Sequence, residues 1–126
     1  MRLTLVTLLV PNYEAGIRFF VGGLGWHLLS DEDQGHKRWV TVAPVLGGPA
    51  LLLARASDSA QTNAIGRQTG TRVGFFLQTD NFTRDAARIK AAGATFLETP
   101  RTELYGTVAQ WRDPWGNLWD LIEPAP

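Results

Sequence analysis

The chain has 126 residues, 12 Lys plus Arg against 12 Asp plus Glu, 44% hydrophobic residues, 13 Gly and no Cys. That is the size and apolar content of one globular domain, and it excludes a disordered, fibrous or disulfide-stapled chain. Zero formal charge with interspersed acids and bases gives no field to hold nucleic acid or an anionic membrane, while the lack of cysteine excludes thiol catalysis and thiolate metal sites and fits a cytoplasmic protein.

In chain order, residues 1–10 are apolar but too short to span a bilayer, and they carry no small-residue cleavage site. Residues 3–10 read as a strand. Asn12 follows as a helix N-cap, and Tyr13, Ile17, Phe20 and Val21 fall on one helical face before Gly22 and Gly23 end the helix. Residues 26–30, 37–43 and 50–55 read as three short strands. Residues 56–71 are polar and small and read as a linker. The grammar then returns: a strand at 72–79, Asn81 as cap, Phe82, Ala86 and Ile89 as the buried face, Gly93 as terminator, and strands at 94–97, 106–112 and 118–123. Val10-Pro11-Asn12-Tyr13 reappears as Thr79-Asp80-Asn81-Phe82 at an offset of 69 residues, and Gly48 reappears as Gly116 at 68. The chain reads as two βαβββ modules, 1–55 and 72–126.

These residues carry a resemblance. Leu24-Gly25-Trp26 after the first helix, and Arg112-Asp113-Pro114-Trp115-Gly116-Asn117 before a strand ending Trp119-Asp120-Leu121-Ile122-Glu123, are similar to the vicinal oxygen chelate superfamily. This is the glyoxalase, bleomycin-resistance and dioxygenase group, and the likeness covers essentially the whole chain. It implies an α+β fold, a single glyoxalase-like domain over 1–126 in which the tandem βαβββ modules form curved antiparallel sheets with a concave cup. The turn explains itself: Pro114 presets φ while Gly116 and Asn117 tolerate positive φ, so Asp113 is expected to be structural rather than catalytic.

In metal-dependent members the resemblance places ligands on the first and last strands of both modules. The matching positions here are Leu5, Leu52, Gly74 and Asp120, of which Asp120 alone carries a donor, too few for zinc or a hard divalent ion. His27 and His36 fall outside these positions. No metal and no cofactor are expected.

The cup then becomes an apolar pocket holding one acid. Alternation puts Leu3, Leu5, Thr7 and Leu9 on one side of the first strand, and Arg72, Gly74, Phe76 and Gln78 on the matching side of its counterpart. Gly74 is expected to leave the floor open. Trp39, Thr41 and Ala43 alternate on one face, and Thr107, Ala109 and Trp111 on the corresponding face at offset 68, so Trp39 and Trp111 are expected on equivalent faces, able to sandwich a planar ligand if those faces are concave. Trp115 and Trp119 read as packing or surface. The candidate ligand-binding set is Leu5, Trp39, Leu52, Gly74, Phe76, Gln78, Trp111 and Asp120; the alternative is that these residues fill the sheet interior.

Three functions follow. The first is a metal-free protein that binds a hydrophobic or aromatic small molecule, as in bleomycin-resistance proteins, although a binder of cationic glycopeptides should be acidic and this chain is neutral. The second is a lyase or isomerase with Asp120 as catalytic general base, its pKa raised among apolar neighbours. The third is a structural or interaction domain without a ligand. Unpaired sheet edges, together with the habit of small members of this family, imply a homodimer.

Overall fold

Asn12 and Asn81 do open two helices. In the computed structural model, which describes residues 1–126, Asn12 Oδ1 accepts from the Ala15 N–H at 2.8 Å and Asn81 Oδ1 from the Arg84 N–H at 3.0 Å. Each asparagine satisfies one of the amides that a helix start leaves without a partner. The chain divides into two units, Met1–Ile65 and Gly66–Pro126.

The first unit runs β1 (Leu5–Val10), α1 (Tyr13–Ile17), β2 (His27–Asp33), β3 (Arg38–Ala43), β4 (Ala50–Arg55) and α2 (Ser59–Ala64). The helix ends at Gly23, as the glycine pair leads one to expect, but its last turn is not α-helical. It widens into a π-helical stretch over Arg18–Gly23, closed by the Leu24 N–H donating to Phe19 O at 2.9 Å. The strands lie in the order β1-β4-β3-β2. Helix α2 occupies the stretch whose polar composition reads as a linker. Asp58 caps it by accepting from the Gln61 N–H at 2.8 Å, but the helix buries no residue and so shows no apolar periodicity.

The second unit runs β5 (Phe75–Gln78), α3 (Phe82–Ala91), β6 (Thr95–Phe96), β7 (Arg101–Glu103), β8 (Gly106–Arg112) and β9 (Leu118–Pro124). Its sheet order is β5-β9-β8-β6, with β7 also on β8. The strand expected over 94–97 is present as β6 and is followed by a second short one, β7. Pro100 has no N–H to offer the ladder between them, and the Glu98 carboxylate takes the Gln110 N–H at 2.8 Å instead.

The tandem glyoxalase-like modules are therefore present as an α+β fold, with one refinement to the antiparallel sheets. In each module the first strand pairs in parallel with the last, β1 with β4 and β5 with β9. A helix carries the chain back after the first strand, and the strands that follow return the last one running in its direction. The register repeats as well: Thr7 lies beside Leu52 where Phe76 lies beside Asp120.

Candidate functional site

Which sheet face carries the helix decides which residues are left for a ligand. In the first unit α1 packs against β1, β3 and β4. The approach is close enough that a Cβ on Gly16 would stand 2.8 Å from Leu53 Cδ1 and 3.4 Å from Val10 Cγ1. Leu8, Val10, Val40, Val42 and Leu53 are accordingly sealed from solvent, each contributing about 1.5–3 kcal/mol of apolar burial. Alternation turns Leu5, Thr7 and Leu9 to the other face. Pairing with Thr7 and with Thr41 brings Leu52 there too, and Trp39 lies two residues along from Thr41. Leu5, Leu9, Trp39 and Leu52 are half-buried. Ser30 Oγ and Thr41 Oγ1 share a hydrogen bond of 2.6 Å.

In the second unit the marker is Glu123, whose Oε1 accepts from the Phe82 N–H at 2.7 Å and so fixes α3 on its own side of β9. Trp119 and Leu121 share that side and are buried. Asp120 and Ile122 point the other way, beside Phe76 and Gln78 on β5 and opposite Gln110 and Val108 on β8. Phe76 is 65% exposed on this face, an unusual setting for a large ring within a strand. Asp120 is half-buried and joins none of the ion pairs of Arg101, which go to Glu98 and Glu103. Burial pushes its carboxyl above the ordinary carboxylate range, Arg101 opposes the shift and Glu98 adds to it.

The structure thus brings Leu5, Trp39 and Leu52 onto the sheet face turned away from α1, and Gly74, Phe76, Gln78 and Asp120 onto the face turned away from α3. Two expectations are corrected. Trp111 lies at 0% exposure on the helix side of its sheet, its ring stacked 5.0 Å from Trp119, which in turn stacks 4.5 Å from Phe75. Thr41 faces Leu52, but its counterpart opposite Asp120 is Gln110, so β8 follows β3 at an offset of 69, not 68. A slip of one residue turns every side chain of a strand to the opposite face. Trp111 is core, and Gln110 and Ile122 are the residues that composition and offset overlooked. Gly74 does not leave an open floor either. A Cβ there would lie 2.7 Å from Thr69 Cγ2 and 2.9 Å from its Oγ1, so the Thr69 side chain occupies that space.

Asp113 is held as the turn chemistry requires. Its Oδ1 accepts from the N–H groups of Trp115, Gly116 and Asn117, each at 3.0 Å, and its Oδ2 from Asn117 Nδ2 at 2.8 Å and Trp119 Nε1 at 3.1 Å. The carboxylate knots the β8–β9 turn to the aromatic core.

The donor set does not suit a divalent ion. Leu5, Leu52 and Gly74 offer no coordinating atom, and nowhere do three His, Cys, Asp or Glu side chains converge on a site that could hold one.

The model of the Glyoxalase/Bleomycin resistance protein/Dioxygenase superfamily matches residues 2–121. The chain belongs to that superfamily. An uncharacterised protein of Shewanella frigidimarina (strain NCIMB 400) is 45% identical over 121 residues, spanning 94% of this chain and 90% of its own. Among solved structures of the superfamily's fold, TnmS3, an antibiotic binding protein from Streptomyces sp. CB03234, is 30% identical with a TM-score of 0.79, covering 99% of this chain and 97% of that one. A glyoxalase/bleomycin resistance protein from the same organism is 29% identical with a TM-score of 0.74, over 96% of this chain and 99% of that one.

Proposed function

We propose that this superfamily member binds a hydrophobic or aromatic small molecule, without a metal, on the sheet faces turned away from α1 and α3. The observation that carries the reading is the face of β5 and β9. There an exposed Phe76 and a half-buried Asp120 without an ion pair stand together, next to the partly buried Ile122, and Gly74, the unit's other expected ligand position, offers no donor. Apolar surface with one or two polar anchors is the usual composition of a small-molecule site. The likeness to TnmS3, an antibiotic binding protein, supports the same reading. In this reading the protein works in the cytoplasm as a homodimer.

A second reading rests on Asp120, whose carboxyl is pushed up by burial towards the range a general base needs. On it the protein is a lyase or isomerase, and the bound molecule is turned over. Titration with 1-naphthol, followed by amide shifts in two-dimensional NMR spectra, tests the first reading. Shifts should concentrate on β5, β9 and the facing residues of β8, and Phe76→Ser should weaken binding about tenfold through lost ring contact. Shifts scattered over the surface, or none, would leave an interaction domain without a ligand.

A further inference from the structure

Two successive rings on β5 go to opposite sides of the sheet. Phe75 faces the core and stacks 4.5 Å from Trp119, while Phe76 turns to the face away from α3 and is 65% exposed. The register sets Asp120 directly beside Phe76 on the next strand, with Gln110 on its other side. Neighbouring strands lie about 4.8 Å apart, so one ligand can touch the ring and the carboxylate together. Asp120 also lacks a counter-ion. It is half-buried and enters none of the ion pairs. Arg101, the cation that acts on it, is already shared between two carboxylates, with Nε 2.6 Å from Glu98 and Nη1 3.0 Å from Glu103. Arg112 lies on this face of β8 too, but it stands opposite Leu118, two residues along from Gln110, and forms no ion pair with Asp120. Glu98, the other group that acts on Asp120, adds a second negative charge to its surroundings. The face thus sets an uncompensated negative charge beside an exposed ring.

Those two groups narrow the guest. A hydroxyl can donate to such a carboxylate but leaves its charge in place, whereas a cation compensates it. We infer that the face of β5 and β9 selects an aromatic ammonium, a compound whose flat ring packs on Phe76 and whose protonated amine, close to the ring, donates to Asp120. The chain is neutral in total, so it offers no field to draw in a polycation, and the single charge of Asp120 suits a ligand with one amine. The inference rests on the small-molecule reading above: that reading asks for a hydrophobic or aromatic guest, and this one adds the charge the guest carries.

1-Naphthylmethylamine, an ammonium at neutral pH, and 1-naphthylmethanol differ in charge but hardly in shape. We would titrate the intact protein with each at neutral pH and follow the backbone amide signals. The ammonium should bind at least about tenfold more tightly, with shifts centred on Phe76, Asp120 and Gln110. Phe76→Ser should weaken both compounds about tenfold. Asp120→Asn should bring the two within about twofold of each other, whereas Asp120→Glu, which keeps the charge, should retain the preference. Equal binding to the parent overturns the inference, as does a preference that survives Asp120→Asn, or shifts that centre elsewhere, such as the acidic end of β2 at Glu32 and Asp33. If 1-naphthol shifts β5 and β9 while the two naphthylmethyl compounds bind alike, charge selection fails and the small-molecule reading stands. If none of the three binds, both fail.

Discussion

Asp120 and Asp113 lie seven residues apart and do opposite work. Asp113 is almost fully buried and accepts five hydrogen bonds, while Asp120 is half-buried and sits among apolar and amide side chains. Burial raises the Asp120 carboxyl above its ordinary value of 3.8. A group whose folded pKa is raised favours the protonated folded state, so ionisation of Asp120 subtracts from stability as pH rises through the window above that value. Asp120→Asn is therefore expected to melt within about 3 °C of the parent at pH 7, or above it, with the difference vanishing near pH 3, where both side chains are neutral. In the same protein 1-naphthol should bind about tenfold more weakly if its hydroxyl donates to the carboxylate. Paired thermal melts at the two pH values, beside the titration, check this. A fall in melting temperature at pH 7 with unchanged affinity would assign Asp120 to the fold instead.

At the scale of elements, the β8–β9 turn carries more than its length suggests. It returns β9 to lie between β8 and β5, and its carboxylate reaches the Trp119 indole in the core. Asp113→Ala would remove the side-chain acceptor of the Trp115 and Asn117 N–H groups, one amide and one indole at a largely buried site, while the Gly116 N–H keeps the Asp113 carbonyl at 3.1 Å. Such a loss should cost about 3 kcal/mol or more, which is roughly a 10 °C fall in melting temperature for a chain of this size. Calorimetry decides it: a fall below about 3 °C would mean that Pro114 and Gly116 hold the turn without the carboxylate. Gly66 meets the same turn from elsewhere in the chain. Its φ is +75°, and a Cβ there would stand 1.8 Å from the Trp115 carbonyl oxygen, so only glycine fits.

For the whole molecule, each sheet ends on strands with one unpaired side: β1 and β2 in the first unit, β5 and β6 in the second. Strand β2 also exposes Leu28 and Leu29, at 42% and 45%. Such edges invite pairing with another copy. Sedimentation at micromolar concentration should give twice the 13.9 kDa chain mass, and Leu29→Lys should shift the balance towards monomer. A parent protein sedimenting as a monomer would overturn the proposed dimer. No helix is long and apolar enough to cross a membrane.

Local chemistry was legible without coordinates. The two asparagine caps, the 69-residue repeat, the Asp-Pro-Trp-Gly-Asn turn and the lack of donors at Leu5, Leu52 and Gly74 each follow from residue types at short spacing, because caps, turns and coordination depend on a few neighbouring atoms. The split into β6 and β7 around Pro100 and the unburied helix α2 were harder to read, since short strands and polar helices leave almost no periodic signal. Other features became visible only in the tertiary structure. Trp111 went to the core because its face depends on the register of β8 against β9, and one residue of difference between two hairpins reverses it. Thr69 filled the space beside Gly74. Such contacts join residues that no spacing rule relates, since they depend on where the chain returns after its turns.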